Sequence, residues 1–516
     1  MESLAAELVH SICSLCSVSG IRHLRLVCRD VSEIADEYLL PVLELYYCIE
    51  SLRFSQLVAQ SRVARSVRLV CFHADRLGGH NRYTGTPAEQ RHQVFSYTDW
   101  LAERNPDGWD YIWAVFEASY PASPLRIAYY EQEIGMGPDK PCLAAVGHTA
   151  RAIWKARRQS NDAGFDLEDA YQTYLRIRAE QDELDGNESF QTMFEALFKA
   201  CPNLRDVIVT VGHSLAPTTT YRVKDFTRAL AWPKEDPDPL RADVHALNSV
   251  LLAAHNTNTK LRMLGAGRLG YHFFLQNPEI LAKFASAFSS IEKLIIQLGA
   301  LYREDEPALL IEPLRAPANQ HIPRLLHQAS SLQDLTVILP GRTERDRIPL
   351  SGILGNADTA PYWPHLRRLR LEWCATDEEY LVSFLLRHAR TLEFLRLADV
   401  EFGPGDGDWA NVFTRLAGNF LALKEVQLRG TLGQGHSLTP GTAPRSPNIY
   451  IFPGAGSRVN LRGKPDGGLM REIQEFILGG NADGREVPLP QEREQTYLSR
   501  YQVREEREEY LGWWIK

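Results

Sequence analysis

Two hydrophobic periods alternate along this chain. Leu4, Leu8, Ile12 and Leu15 recur at helical spacing and form one apolar stripe. Ser17 to Gly20 interrupts it, and the stripe resumes at Ile21, Leu24, Val27, Cys28, Val31, Ile34, Ala35 and Tyr38. The pattern predicts two or three short amphipathic helices joined by a tight turn. A unit of about 45 residues buries too little apolar surface to be secure alone, so its remaining apolar face is expected to dock on something else.

Further along, seven segments follow the order apolar-x-x-apolar-x-apolar. They are Leu204 to Val209, Leu261 to Ala266, Ile291 to Ile296, Leu332 to Val337, Leu366 to Leu371, Leu392 to Leu397 and Leu423 to Leu428. Their spacing is irregular, but what precedes them is consistent. Asn277-Pro278 reads as an N-cap and first helical residue, followed by an apolar face at Leu281, Phe284 and Phe288. Thr376 to Glu379 reads as a capping box ahead of Leu381, Phe384 and Leu385. Asp408 opens a helix with Val412, Phe413 and Leu416, and Met193, Phe194 and Leu197 precede the first segment. The unit is therefore helix, short loop, strand. Repeated, it stacks parallel strands with helices outside, because neither element buries its apolar side alone. Ala64 to Leu69 reads as an isolated earlier copy.

The expected division is a helical module at 1–45, a helical connector with loops at 46–185, the repeats at 186–435, and a linker with a C-terminal capping helix at 436–516. Candidate connector helices are Trp100 to Tyr120 and Ala150 to Arg158. Loops are expected at 213–240 and 300–321, and a linker at Ser437 to Pro447. The last thirty residues, with Tyr497, Tyr501, Tyr510, Trp513 and Trp514, read as a terminal helix with an aromatic side that caps the last repeat.

Charge narrows the partners. Lys plus Arg is 57 against 65 for Asp plus Glu, a net charge of −8, which argues against bulk nucleic-acid binding. No run of apolar residues is long enough for a transmembrane helix, and Met1-Glu2-Ser3-Leu4 is a poor secretory signal. Cys13, Cys16, Cys28, Cys48 and Cys71 sit among apolar neighbours and read as reduced thiols. A cytoplasmic or nuclear protein is expected, with neither nucleic acid nor membrane as partner.

Four motifs suggest chemistry, and each lacks a necessary part. Gly265 to Gly270 matches G-x-G-x-x-G, but no helix opens there to present its amides to a pyrophosphate. Gly212-His213-Ser214-Leu215-Ala216 resembles a nucleophile elbow, yet it ends in Ala216 and runs into Pro217 rather than a helix. Cys13-Ser14-Leu15-Cys16 has ligand spacing without a second close pair. Gly403 to Asp408 lacks the twelve-residue calcium pattern with its closing Glu and reads as a turn and helix N-cap. No catalytic residue, metal or cofactor is expected.

The N-terminal pattern, above all Leu24-Arg25-Leu26-Val27-Cys28-Arg29 after Leu4, Leu8, Ile12 and Leu15, is similar to the F-box motif. Ala5-Ala6 stands where that family usually has Pro, and Asp30-Val31 where a large apolar residue often follows. The later segments resemble long, degenerate leucine-rich repeats. Together the resemblances imply an α/β protein: a three-helix F-box-like module followed by an irregular leucine-rich-repeat-like solenoid. They imply docking on a Skp-type adaptor, and through it a cullin, to hold a protein substrate near a ubiquitin-transfer enzyme. Leu4, Leu8, Ile12, Leu24, Val27, Cys28 and Val31 would make the adaptor contact. The alternatives are an adaptor-independent interaction scaffold, which the missing Pro favours, and a hydrolase or dehydrogenase resting on the incomplete motifs.

Side chains alternate between the faces of a strand, so the residues between the repeating apolar positions are expected on the exposed inner face. Those positions bring Arg368, Arg370, Phe394, Arg396 and Arg429 together. Such a cluster suits an acidic or phosphorylated substrate segment, because Arg pairs bidentately with carboxylate and phosphate.

Overall fold

Three helices open the chain, as the stripe predicts: α1 (Ala6–Leu15), α2 (Val18–Leu24) and α3 (Arg29–Asp36). Ser17 starts α2 by accepting a hydrogen bond from the Gly20 N–H at 3.2 Å. The three close on a small core of Val9, Cys13, Ile21 and Ala35. His10 meets the Tyr38 hydroxyl at 3.1 Å, and Arg25 pairs with Asp36. The unit is tied to the body by Arg68, whose guanidinium lies 5.4 Å from the centre of the Tyr38 ring, and by Ser66, which accepts from the Leu40 N–H.

This is a computed structural model, and it describes residues 5–74, 76, 167–185, 188–210, 239–269, 273–274, 276–298, 321–339, 348–356, 360–403, 406–434, 450–452, 468–479 and 487–488. After the three helices come β1 (Val42–Tyr46), α4 (Ile49–Ala59), a 3-10 turn (Arg62–Ser66) and β2 (Leu69–His73). Then follow α5 (Leu167–Asp185), α6 (Ser189–Ala200), β3 (Asp206–Thr210), α7 (Pro239–Thr257), β4 (Met263–Leu269), α8 (Pro278–Phe288) and β5 (Lys293–Leu298). The next elements are α9 (His321–Gln328), β6 (Asp334–Ile338), β7 (Ile348–Pro349), α10 (Leu350–Leu354), β8 (Arg368–Glu372), β9 (Cys374–Thr376) and α11 (Glu378–Arg387). The described part ends with β10 (Phe394–Ala398), β11 (Glu401–Phe402), α12 (Trp409–Leu416), β12 (Glu425–Gln434), β13 (Tyr450–Phe452) and α13 (Gly468–Gly479).

The architecture is α/β. Nine parallel strands, β1, β2, β3, β4, β5, β6, β8, β10 and β12, lie side by side in the order of the chain. A second ribbon, β7, β9 and β11, joins the far half of β12, and β13 pairs antiparallel with β12. Each of the seven expected segments ends in one of these strands. Their repeating apolar residues, such as Leu204, Val207 and Val209, or Leu392, Leu395 and Leu397, are buried with the helices in one continuous core.

The sheet starts earlier than the expected division. β1 straddles the boundary placed at residue 45, and β2 lies inside the stretch read as helical connector. The strand Val42 to Tyr46 has the period of two, but it follows a helical stripe without a break and so escapes a reading by period. The capping box is also corrected: Thr376 ends β9, and Asp377 caps α11 by accepting from the Tyr380 N–H at 2.7 Å. Asn277 and Asp408 cap α8 and α12 as read, accepting from Glu279 and Ala410. Gly265 and Gly267 lie within β4, where Gly265 pairs with Ile208 and Ile295, so no phosphate-cradling turn forms there. α13 covers the C-terminal side, burying Ile473, Phe476 and Ile477. The expected connector helices, the Ser214 motif, the Ser437 to Pro447 linker and the aromatic terminal helix lie outside the described residues.

Candidate functional site

The N-terminal unit keeps a core of four residues and turns larger apolar side chains outward. Leu8, Ile12 and Val27 are exposed at 54, 41 and 66%. Cys28 is exposed at the N-cap of α3. Leu24 and Val31 are instead half-buried against the unit's own core. Leu4 lies outside the described residues. Two residues absent from the expected set are the most open: Leu15 at 88% and Leu26 at 82%. Leu15 belongs to the apolar stripe, while Leu26 falls off its spacing. A helix this short has too few buried positions to use every apolar residue, so the surplus shows on the surface. Cys13 is buried in this core, and desolvation pushes its thiol above the ordinary cysteine value. Among the described residues no group of three or more His, Cys, Asp or Glu side chains is placed to hold a metal.

The face of the sheet opposite the helices is built from rows, because parallel strands in register stand a side chain beside its equivalent. The first row runs Leu69, Asp206, Met263, Lys293, Asp334, Arg368, Phe394, Glu425. The second runs Cys71, Ile208, Gly265, Ile295, Thr336, Arg370, Arg396, Gln427. The early end is apolar and aromatic: Leu69, Cys71, Ile208, Met263 and Ile295 form a buried cluster, and His73 stacks on Tyr46 at 4.5 Å. The late end is charged.

At that late end Arg368, Arg370, Phe394 and Arg396 come together. The Phe394 ring lies under both Arg368 and Arg370, at 4.4 and 5.4 Å from centroid to guanidinium carbon. Arg370 and Arg396 are direct neighbours across β8 and β10. Arg396 Nε meets Glu372 Oε1 at 3.1 Å. Asp334 Oδ2 sits 3.7 Å from Arg368 Nε and 3.8 Å from Lys293 Nζ. Arg429 stands one row further along, beside Ala398.

The expectation of an open inner face is corrected. Arg370 and Arg396 are each 5% exposed, and Phe394 and Arg429 are also buried. Phe394 packs against Arg368 and Arg370, and Arg396 against Glu372, so each of these side chains is covered in part by its neighbour. Arg368 and Lys293 are the more open cations. The charges feel the dry setting. Burial holds the Lys293 ammonium below its ordinary value, Asp334 opposes this, and Arg370 and Arg368 add to the lowering. Burial and then Arg370 lower the Arg368 guanidinium likewise.

No protein-family model and no curated protein matches the chain. Among the described residues no helix is long and apolar enough to cross a membrane.

Proposed function

We propose that this chain is the substrate-recognition subunit of a Skp–cullin–F-box ubiquitin ligase. Its N-terminal unit would be the F-box-like hook, and the ordered parallel strands a leucine-rich-repeat-like scaffold for a protein substrate. The single observation that carries the reading is the exposure of Leu8, Ile12 and Leu15 on α1, and of Leu26 and Val27 in the turn between α2 and α3, in a unit with a core of only four residues. Large apolar side chains left open to water in this number suit a place where another molecule sits. The LRLVCR resemblance says which molecule: a Skp-type adaptor.

In this reading the protein performs no bond chemistry. The hook fixes the chain to the ligase, and the charged end of the sheet receives the substrate through Arg368, the more open of its arginines, while Arg370, Phe394, Arg396 and Arg429 are buried. Proximity to the ubiquitin-transfer enzyme then supplies the rate. The test is recovery of a purified Skp-type adaptor by the full chain, with Leu8→Asp as the disabling variant.

A second reading, an interaction scaffold with no adaptor, is favoured by two observations. Leu24 and Val31 spend their apolar surface on the unit's own core, and Ala5-Ala6 replaces the usual Pro. A folded chain that recovers no adaptor would select it.

A further inference from the structure

The two cysteines at the end of α1 are not used by the function proposed above. Cys13 is buried in the core of the N-terminal unit, and Cys16 packs half-buried against that same core. Both side chains therefore sit on one side of the helix, and both thiols are free. The Cys16 N–H donates to the Cys13 carbonyl at 3.2 Å, which closes a tight turn between them. Residues three apart in a helical turn stand about 5 Å apart at Cα, inside the roughly 4.4–6.8 Å that a disulfide spans. Cys16 is also where the helix stops. Its backbone is extended, with φ −84° and ψ 146°, so it can move without unwinding the residues before it. Beside it lies Gly20 of α2, where a Cβ would come 3.3 Å from the Cys16 Cβ and 3.6 Å from its sulphur. The bare glycine gives the thiol the room it occupies.

We propose that Cys13 and Cys16 are a redox pair, which closes to a disulfide across the end of α1 and so reshapes the docking face. The oxidant is a low-molecular-weight disulfide of the glutathione class. The Cys16 thiolate, on the more open side, attacks one sulphur of that disulfide, forms a mixed disulfide and expels one small thiolate. The Cys13 thiolate then attacks the Cys16 sulphur and expels the second. Two protein thiols are oxidised, one small disulfide is reduced to two thiols, and the two cysteine protons end on the leaving thiolates. Burial first, and Cys16 second, push the Cys13 thiol above its ordinary value, so the second step is the slow one near neutral pH and quickens as pH rises. Cβ atoms three apart on a helix are about 5–6 Å apart, against about 3.5–4.5 Å in a disulfide, so closure draws the turn in by about 1–2 Å. Leu15 lies between the two cysteines and is 88% exposed, so it moves with that turn. The inference rests on the proposed function only for its consequence, that the reshaped surface is where an adaptor seats; the thiol chemistry does not need it.

The test treats the folded full chain with oxidised glutathione, blocks the remaining thiols, and reads the peptide carrying Cys13 and Cys16 by mass spectrometry. That peptide should lose two hydrogens, faster at about pH 8.5 than at about pH 7, and dithiothreitol should reverse the loss. Cys13→Ala should stop at a glutathione adduct on Cys16. Because Cys13 is buried, Cys16→Ser at the half-buried position is the second variant, and it should show neither adduct nor disulfide on this peptide. The oxidised wild type should bind a purified Skp-type adaptor about tenfold more weakly than the reduced one, the effect of displacing one apolar anchor. A peptide that keeps both thiols, or a bond from either cysteine to Cys28 instead, would overturn the pair. Equal adaptor affinity in the two forms would overturn its effect on the docking face. A reduced chain that captures no adaptor counts against the proposed function alone, and the mass of the peptide still decides the pair.

Discussion

Arg396 and Glu372 form an ion pair across β10 and β8, with Nε 3.1 Å from Oε1 and side chains only 6 and 2% exposed. Charges removed from water this completely depend on each other. Glu372→Ala leaves the Arg396 guanidinium buried without this carboxylate and should cost roughly 3–5 kcal/mol. The double variant Glu372→Leu with Arg396→Met should recover most of that loss, because an apolar pair has no desolvation cost to repay. Urea midpoints of the three proteins check it. A loss under about 1 kcal/mol in the single variant, the range of an exposed pair, would show that the pair is solvated.

A second dependence is on pH. His388 is buried beneath Trp363 and Phe384; its Nε2 accepts from the Trp363 N–H at 3.3 Å, and its Nδ1 faces the Phe384 carbonyl at 3.0 Å. The neutral ring with the proton on Nδ1 satisfies both. Burial holds its pKa below the ordinary histidine value, the Phe384 carbonyl opposes this, and Arg387 adds to the lowering. The unfolded chain takes up a proton near pH 6.5 and the folded one resists it. Stability from this group is therefore complete above about pH 6.5 and is lost as pH falls below it. Thermal midpoints at pH 7.5 and 5.5 should fall further in the wild type than in His388→Gln. Equal drops would contradict the assignment.

The cap of α11 gives a local prediction. Asp377 accepts from the Tyr380 N–H, whereas the Thr376 hydroxyl meets only the Asp377 carbonyl at 3.3 Å. Asp377→Ala should cost about 1 kcal/mol. Asp377→Asn, which keeps the acceptor, should cost clearly less. Denaturant midpoints distinguish the two, and equal losses would mean that the side-chain oxygen is not what starts the helix.

Much of the scaffold was legible from the seven apolar segments, because one side of each strand must face the helices and the spacing of Leu204, Val207 and Val209 records that demand. Val42 to Tyr46 was not legible as a strand: its alternation is too short to stand out after the helical stripe that ends at Tyr38. The Arg cluster could be listed from alternation alone, yet not its burial. Whether Arg370 is open depends on what stands beside it on β6 and β10, and that is a matter of register between segments distant in sequence. In the N-terminal unit, the period chose Leu24 and Val31, which pack inward, and passed over Leu26, which is exposed.

The central claim is that the outward apolar face of α1 to α3 seats a Skp-type adaptor. Calorimetric titration of the full chain with a purified adaptor tests it most directly. The wild type should bind in a saturable one-to-one complex. Leu8→Asp and Val27→Asp, both at exposed positions, should keep the thermal midpoint and weaken binding roughly tenfold or more. A wild-type chain that gives no heat of binding, or folded variants that bind as well as the wild type, would contradict it.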